Sequence, residues 1–398
     1  MAARVKDGMR EQCIVQVAET WYSILTQYSE RAPPLAALCL DVIRHYAVWV
    51  DINHLANRRF LELFLAFVQR PPLHEGACAC LSAVVSKRMD AGNKLEHLRS
   101  LRVVELLAAA KEAMAASGMQ LSEPFANLAA VTSLELLDCW DKLATRGDEV
   151  SAESAATLLR GSMPLLLDAL ASEQLEVSQC TLSFLHAYLA QLRKLLPTPE
   201  ELALHEDQLQ LLLVHLARRS VYPDDFSSFD AVFVSGGGGV GGGGSGSEGS
   251  GNGDPDDDDA AFSDYRREIS TLFRSVARVH PALASAFVQS TLRSVLDSME
   301  SSRWSHVEVA LWLLYQLGEG LPDTTVREKV RLHIYMYIYI YMYMYTHTCI
   351  HIYMNTYEYM YICTHMYISI CKCMFIYRLT HGHILSIDSW MNIHIFCF

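Results

Sequence analysis

From Met9 to about Arg219, apolar residues recur at intervals of three and four, the spacing that places them on one face of a helix. Ile14, Val17, Ala18, Trp21, Ile24, Leu25 and Tyr28 form the first such series. Pro33 and Pro34 stand where the next helix begins, because the first helical turn has no amide bond for proline to break. Leu35, Leu38, Cys39, Val42, Ile43 and Tyr46 mark that helix. Phe60, Leu61, Phe64, Phe67 and Val68 mark another, ended by Pro71 and Pro72. The pattern continues through "EGACACLSAVVSKRM", "LRSLRVVELLAAAKEAM", "LAAVTSLELLDCWDKLA", "AATLLRGSMPLLLDALA", "VSQCTLSFLHAYLAQLRKLL" and "EDQLQLLLVHLARR". No run in this body alternates as a strand does. Helices of roughly 15–20 residues joined by short Pro, Gly and Asp turns predict antiparallel pairs repeating about every 40 residues, as in HEAT-type arrays. The expected fold is all-α, a HEAT-like helical-repeat solenoid (α-α superhelix) in which each repeat touches only its neighbours. A single globular helical domain is the alternative.

The pattern stops at "SGGGGVGGGGSGSEGSGNGDPDDDD". Glycine and serine have little to bury and much backbone freedom to lose, so residues 227–259 are predicted to form a flexible loop. No Gly-Lys-Ser/Thr follows the glycines, which excludes a phosphate loop. The stretch ends in an acidic cluster, Asp254 and Asp256, Asp257, Asp258 and Asp259, which suits either a basic partner protein or plain solvation. Helical spacing resumes in "SDYRREISTLFRSVARV", "PALASAFVQSTLRSVLDSM" and "HVEVALWLLYQLGEGL". The expected division is helical repeats over 1–90, 91–226 and 260–331, the loop over 227–259, and a separate segment over 332–398.

Charge and chemistry narrow the picture. The net charge of −13 argues against a wholly nucleic-acid-binding surface but leaves room for local basic patches. "MAARVKDGMREQC" is polar and is not followed by the apolar core of a secretory signal. Cys13, Cys39, Cys78, Cys80, Cys139 and Cys180 fall at helical apolar positions, as buried reduced thiols do. Cys78 and Cys80 lack the second ligand pair of a zinc site. The body contains no G-x-S-x-G, H-E-x-x-H or C-x-x-C. His45, His54, His74, His97, His186, His205 and His215 are spread one per helix or loop. The expectation is a protein that is not an enzyme and carries no cofactor and no metal.

Three stretches resemble one family. "WVDINHLANRRFLELFLAFV", "EGACACLSAVVSKRMD" and "HVEVALWLLYQLGEGLP" are similar in sequence and order to the exportin-T family of tRNA nuclear-export receptors, in the importin-β superfamily. An acidic loop before "DYRREISTLF" matches in position, although here glycine and serine enlarge it. The resemblance covers about Val5 to Val330. It implies a receptor that binds tRNA cooperatively with Ran-GTP, engages nuclear pore proteins, shuttles between nucleus and cytoplasm, and does not enter a membrane. A helical-repeat scaffold that binds only proteins is the alternative. "RVKDGMREQC" already resembles an internal family segment. The amino-terminal repeats with the main Ran contact, and the repeats after Pro322, are therefore expected to lie outside this chain.

The family supplies no motif that transfers tRNA contacts residue by residue, so those candidates rest on charge. Lys87, Arg88, Lys94, Arg99 and Arg102 recur within one short stretch and are the first choice for neutralising phosphates. Arg58, Arg59, Arg193, Lys194, Arg218 and Arg219 are further basic positions. Any of them can instead solvate an outer face or complement a helix C-terminus. Arg58 is expected to pair with a neighbouring helix, since the resemblance at "AN-x-RF" centres on Arg59.

The last segment has a different character. Tyrosine takes every second position from Tyr335 to Tyr345, with Ile or Met between, so neither face of a strand would be polar. Twelve of the nineteen tyrosines follow Leu332, too many for a membrane helix. TAT-ATA encodes Tyr-Ile, TAT-ATG Tyr-Met and CAC-ACA His-Thr, so alternating purine–pyrimidine DNA repeats would encode the run. Val330-Arg331 can be written GTG-AGG, which begins like a splice donor. The segment 332–398 is therefore read as a translated intron, and Cys371, Cys373, His347, His351 and His365 carry no weight as metal ligands. A genuine tyrosine-rich extension, prone to aggregation, is the alternative.

Overall fold

Antiparallel helices stacked in two layers make up the described residues. The computed structural model describes residues 6–9, 12–195, 202–223, 255–297 and 303–321. In chain order the helices are α1 (Ile14–Tyr28), α2 (Pro33–Ala47), α3 (Arg58–Val68), α4 (Pro71–Val85), α5 (Ala91–Ser100), α6 (Val103–Ala116), α7 (Glu123–Arg146), α8 (Glu149–Leu170), α9 (Leu175–Gln179), α10 (Leu182–Leu195), α11 (Glu206–Arg219), α12 (Pro255–Val279), α13 (Pro281–Asp297) and α14 (Trp304–Gly320). Short 3-10 turns lie at Ile52–His54 and Ala203–His205. No strand occurs among the described residues. No helix among them is long and apolar enough to cross a membrane.

One layer runs α2, α4, α7, α10, α12, α14, each helix packed on the next. The second layer contains α3, α6, α8, α11 and α13, again each on the next, with α1 packed on α2. Such a two-layer stack is the expected HEAT-like arrangement, and its period is written in the polar contacts. Arg59 to Glu19, Arg70 to Glu30, Cys80 to Leu40 and Lys87 to Ala47 are each separated by 40 residues. Lys94 and Glu135 are 41 apart, and Arg266 and Glu308 are 42 apart. In the centre the step is longer. Lys194 and Asp141 are 53 apart, and Arg146 and Asp90 are 56 apart, because α7 and α8 have 24 and 22 residues and α5 is an added short helix.

Local chemistry sets the helix ends. The Asn57, Ser122 and Asp148 side chains accept from the amides of Phe60, Phe125 and Ser151, which would otherwise lack partners. Proline opens α2 as expected, and Pro71, read as ending the helix before it, opens α4 as well. Gly147 closes α7 at φ +78°, where a side chain would be strained. Pro164 lies inside α8 and has no amide for the Arg160 carbonyl. The Gln208 amide on α11 donates to that carbonyl at 3.0 Å.

Two readings of the sequence are corrected here. α2 buries Ala36, Cys39, Leu40, Ile43 and Ala47, whereas Leu35 and Leu38, counted as core from the spacing, are exposed. α12 begins at Pro255, inside the segment assigned to the loop, so Asp256 to Asp259 belong to a helical first turn. The rest of that loop, including Asp254, lies outside the described residues. The chain divides into two units, Met1–Arg331 and Leu332–Phe398. The second, the segment read as translated intron, also lies outside them.

Within one layer, neighbouring helices come close together in the stretches behind the family resemblance. A Cβ added at Gly320 would stand 2.9 Å from the Ala277 Cβ and 3.1 Å from the Arg274 Cα and carbonyl oxygen. One added at Gly76 would meet only the Leu40 side chain, at 3.0 Å. Gly320→Ala therefore pushes on backbone and is expected to destabilise the α12–α14 contact by about 1–3 kcal/mol. Gly76→Ala is expected to be near neutral, because Leu40 yields and alanine improves helix propensity by about 1 kcal/mol. Urea unfolding of the two variants, side by side, checks the order.

Candidate nucleic-acid interface

The residues chosen from charge do not form one group. The Lys87 ammonium donates to the carbonyls of Ala47, Val48 and Val50 at 2.9, 2.7 and 2.8 Å. All three of its protons are engaged, and its charge faces the C-terminal end of α2, where the helix dipole is negative. Lys94 on α5 is 6% exposed and is ion-paired with Glu135 on α7. Both lysines therefore bind one repeat to the next. Arg88, Arg99 and Arg102 are exposed. Arg99 lies 2.9 Å from Glu96, and Arg102 lies 3.7 Å from Glu105. Arg102 has φ +51° at the start of α6, the one non-glycine residue in the left-handed region among those described. The stretch 87–102 thus spans a whole short helix rather than one turn.

The other basic positions divide similarly. Arg59, not Arg58, reaches the neighbouring helix: its guanidinium bonds both Glu19 oxygens at 2.9 and 3.2 Å and lies 4.2 Å from the Tyr22 ring centroid. Arg58 pairs with Glu62 on its own helix at 2.7 Å. Lys194 donates to Asp141 at 2.5 Å, which holds that carboxyl below the usual range. Arg146 does the same to Asp90 at 2.8 Å. Arg219 lies over the Tyr265 ring. Arg193 and Arg218 are exposed.

His74, His205, Cys39 and Cys78 are structural too. His74 is buried and bonds the Val68 carbonyl and the Ser122 hydroxyl. His205 is 2% exposed and bonds the Tyr188 hydroxyl at 2.7 Å, and burial pushes its pKa down to about 4. Burial raises the Cys39 thiol to about 11 and Cys78 to about 12, which keeps both protonated. No cluster of three potential metal ligands occurs among the described residues.

One arrangement escaped the sequence reading. The turn after α2 carries Trp49, Val50, Asp51 and His54, which with Ile14 and Lys87 line an open cleft. Lys6 lies over the Trp49 ring, 5.5 Å from its centroid. Tyr46 packs against Trp49 at 5.1 Å, and Trp21 packs edge-on against Tyr46 at 5.2 Å. "WVDINHLANRRF" held these residues in view, but only as a family pattern. The 40-residue step that brings Lys87 to this turn has no local signature.

Known proteins place this architecture. The importin 13 structure in its cytosolic state superposes with a TM-score of 0.56 at 12% identity, over 80% of this chain and 37% of that one, which supports the fold. The family model described as Exportin 1-like protein matches residues 2–81, and the Exportin-T model matches 247–370. Exportin-T of Pongo abelii is 28% identical over 318 residues, covering 80% of this chain and 30% of the relative. Exportin-T of Arabidopsis thaliana is 27% identical over 335 residues, covering 82% and 31%. The chain is similar to exportin-T. The similarity to exportin-T holds across animals and plants, while the chain spans about 30% of the length of these relatives. The Exportin-T match continues to residue 370, past the boundary at which the sequence reading sets off an intron-derived segment. The division into two units, by contrast, falls at that boundary.

The geometry separates lysines that hold repeats together from arginines that do not. Lys94→Met leaves Glu135 unpaired and is expected to cost on the order of 2 kcal/mol, less than for a fully buried pair because Glu135 keeps some solvent. Arg88→Ala and Arg99→Ala are expected to stay within about 0.5 kcal/mol of the parent. Thermal melts of the three variants give the comparison.

Proposed function

We propose that this chain serves tRNA nuclear export, binding tRNA cooperatively with Ran-GTP and shuttling between nucleus and cytoplasm through contacts with nuclear pore proteins. The supporting observation is the similarity to exportin-T over about four-fifths of the chain. Residues of the resembling stretches make contacts between repeats: Arg59 with Glu19, Cys80 with the Leu40 carbonyl, Lys87 with the Ala47 carbonyl, and Glu308 with Arg266. The chain acts by binding, not by catalysis. Folded tRNA presents A-form phosphates and 2′-hydroxyls, which suit a long surface bearing scattered exposed arginines. Two ligands on one flexible array also give coupling, since each favours the array geometry that the other needs.

Filter binding of mature tRNA across ~50–200 mM salt, with and without Ran-GTP, tests this reading when carried out on a receptor of the relatives' full length. Affinity is expected to fall steeply with salt and to rise with Ran-GTP. Replacing Arg88, Arg99 and Arg102 together by Ala is expected to flatten the slope by about one for each phosphate that is no longer neutralised. Binding that ignores salt and Ran-GTP would instead favour a helical-repeat scaffold for proteins.

A further inference from the structure

The cleft at the α2–α3 turn has features that the packing of the array does not account for. Trp49 is only half-buried, and one face of its ring is covered by Lys6, an exposed side chain on a long flexible stem. Tyr46 supports the indole, and Trp21 supports Tyr46, so the platform is rigid. Lys87 fixes the wall of the cleft through three carbonyls contributed by the same turn. Its charge acts there as a fixed field with no proton left to donate. Asp51 uses one carboxylate oxygen to accept from the Asn53 amide at 3.0 Å, which leaves the other as an acceptor. His54 adds a ring nitrogen. The cleft measures about 450 Å³, within the roughly 300–1,000 Å³ range of small-ligand pockets.

We infer that this cleft takes one unpaired nucleotide of an RNA strand. The base stacks on Trp49 in the place Lys6 now holds. The displaced ammonium then lies beside the phosphate of the same nucleotide, and Asp51 accepts from an exocyclic amine. An aromatic platform with adjacent cations is how proteins hold single-stranded nucleic acid, because every base has a π-face and every nucleotide a phosphate. A purely apolar ligand would leave the Asp51 carboxylate and the displaced Lys6 ammonium without compensation. A free phosphate would make no use of the indole. The inference rests on the RNA-binding reading above and extends it from folded phosphate surfaces to an unpaired segment.

The test uses the full chain, labelled oligocytidylate and oligoadenylate of about ten nucleotides, and fluorescence anisotropy over a salt series. Trp49→Ala is expected to weaken binding at least about five-fold without changing the salt slope, since a stack releases no counterions. Trp49→Phe should retain most of the affinity. Lys6→Ala, which removes an exposed side chain, should flatten the slope by about one and leave the melting curve unchanged. If Trp49→Ala disturbs folding, Lys6→Ala decides. Oligonucleotide binding that neither Trp49→Phe, Trp49→Ala nor Lys6→Ala alters would overturn the cleft while leaving tRNA binding in place. No binding of tRNA or oligonucleotide by the parent chain would overturn both. Trp49-dependent capture of an acidic aromatic peptide, with no RNA bound, would assign the cleft to protein recognition instead.

Discussion

Each helix of this array depends on the equivalent helix one repeat away, and the polar bonds across that step fix its register. Arg266 on α12 shows the constraint in concentrated form. It is 7% exposed, bonds both Glu308 oxygens at 2.8 and 2.6 Å, and lies between the rings of Tyr222 and Trp312 at 4.1 and 4.9 Å. Burial pushes the Glu308 carboxyl up, while Arg266 pulls it down, so the pair persists only because each partner compensates the other. Two turns on, Arg274 donates to Gln316 at 3.2 Å, and beyond that Gly320 lets the backbones touch. Toward the preceding repeat, the Tyr265 hydroxyl bonds the Ser178 hydroxyl. A single stretch, "DYRRE", therefore holds three repeats in line. In a stack where repeats contact only neighbours, stability is a sum of such interfaces, and the loss of one is felt locally.

Much of this was legible because the array is regular. Phe60, Leu61, Phe64, Phe67 and Val68 were assigned to a buried face and all five are buried. Pro33 and Pro34 gave one helix start correctly, while Pro71 and Pro72, read only as ending a helix, also begin the next. The errors have physical causes. On α2 the buried face is Ala36, Leu40, Ile43 and Ala47, with Leu40 against Gly76 of α4, so Leu35 and Leu38 lie on the exposed side. Asp256 to Asp259 read as part of a loop, yet acidic residues after a proline also suit the start of a helix. Pro164 left no visible break, because its missing bond is replaced by Gln208 from another helix, a long-range fact.

The site was less legible, since charge in a sequence does not reveal its partner. Lys87 and Lys94 look like Arg88 and Arg99 in one dimension. In the fold the lysines are taken up by carbonyls and by Glu135, and the arginines stay outside. Repetition itself explains this. Every repeat must neutralise its own helix ends and buried carboxylates, and it does so with cations supplied about 40 residues away. An array with net charge −13 consequently has few cations left for a polyanion, so RNA affinity must come from a small number of placed contacts and aromatic stacking.

That account makes the inter-repeat ion pair a coupled unit, and a double-mutant cycle on Arg266 and Glu308 measures the coupling. Arg266→Met, Glu308→Gln and the double variant would be compared by hydrogen exchange of the α12 and α14 amides. Each single change should open both helices together, with the double costing less than the sum by about 1–3 kcal/mol. Effects that add to within about 0.5 kcal/mol, or protection lost in α12 but kept in α14, would contradict it.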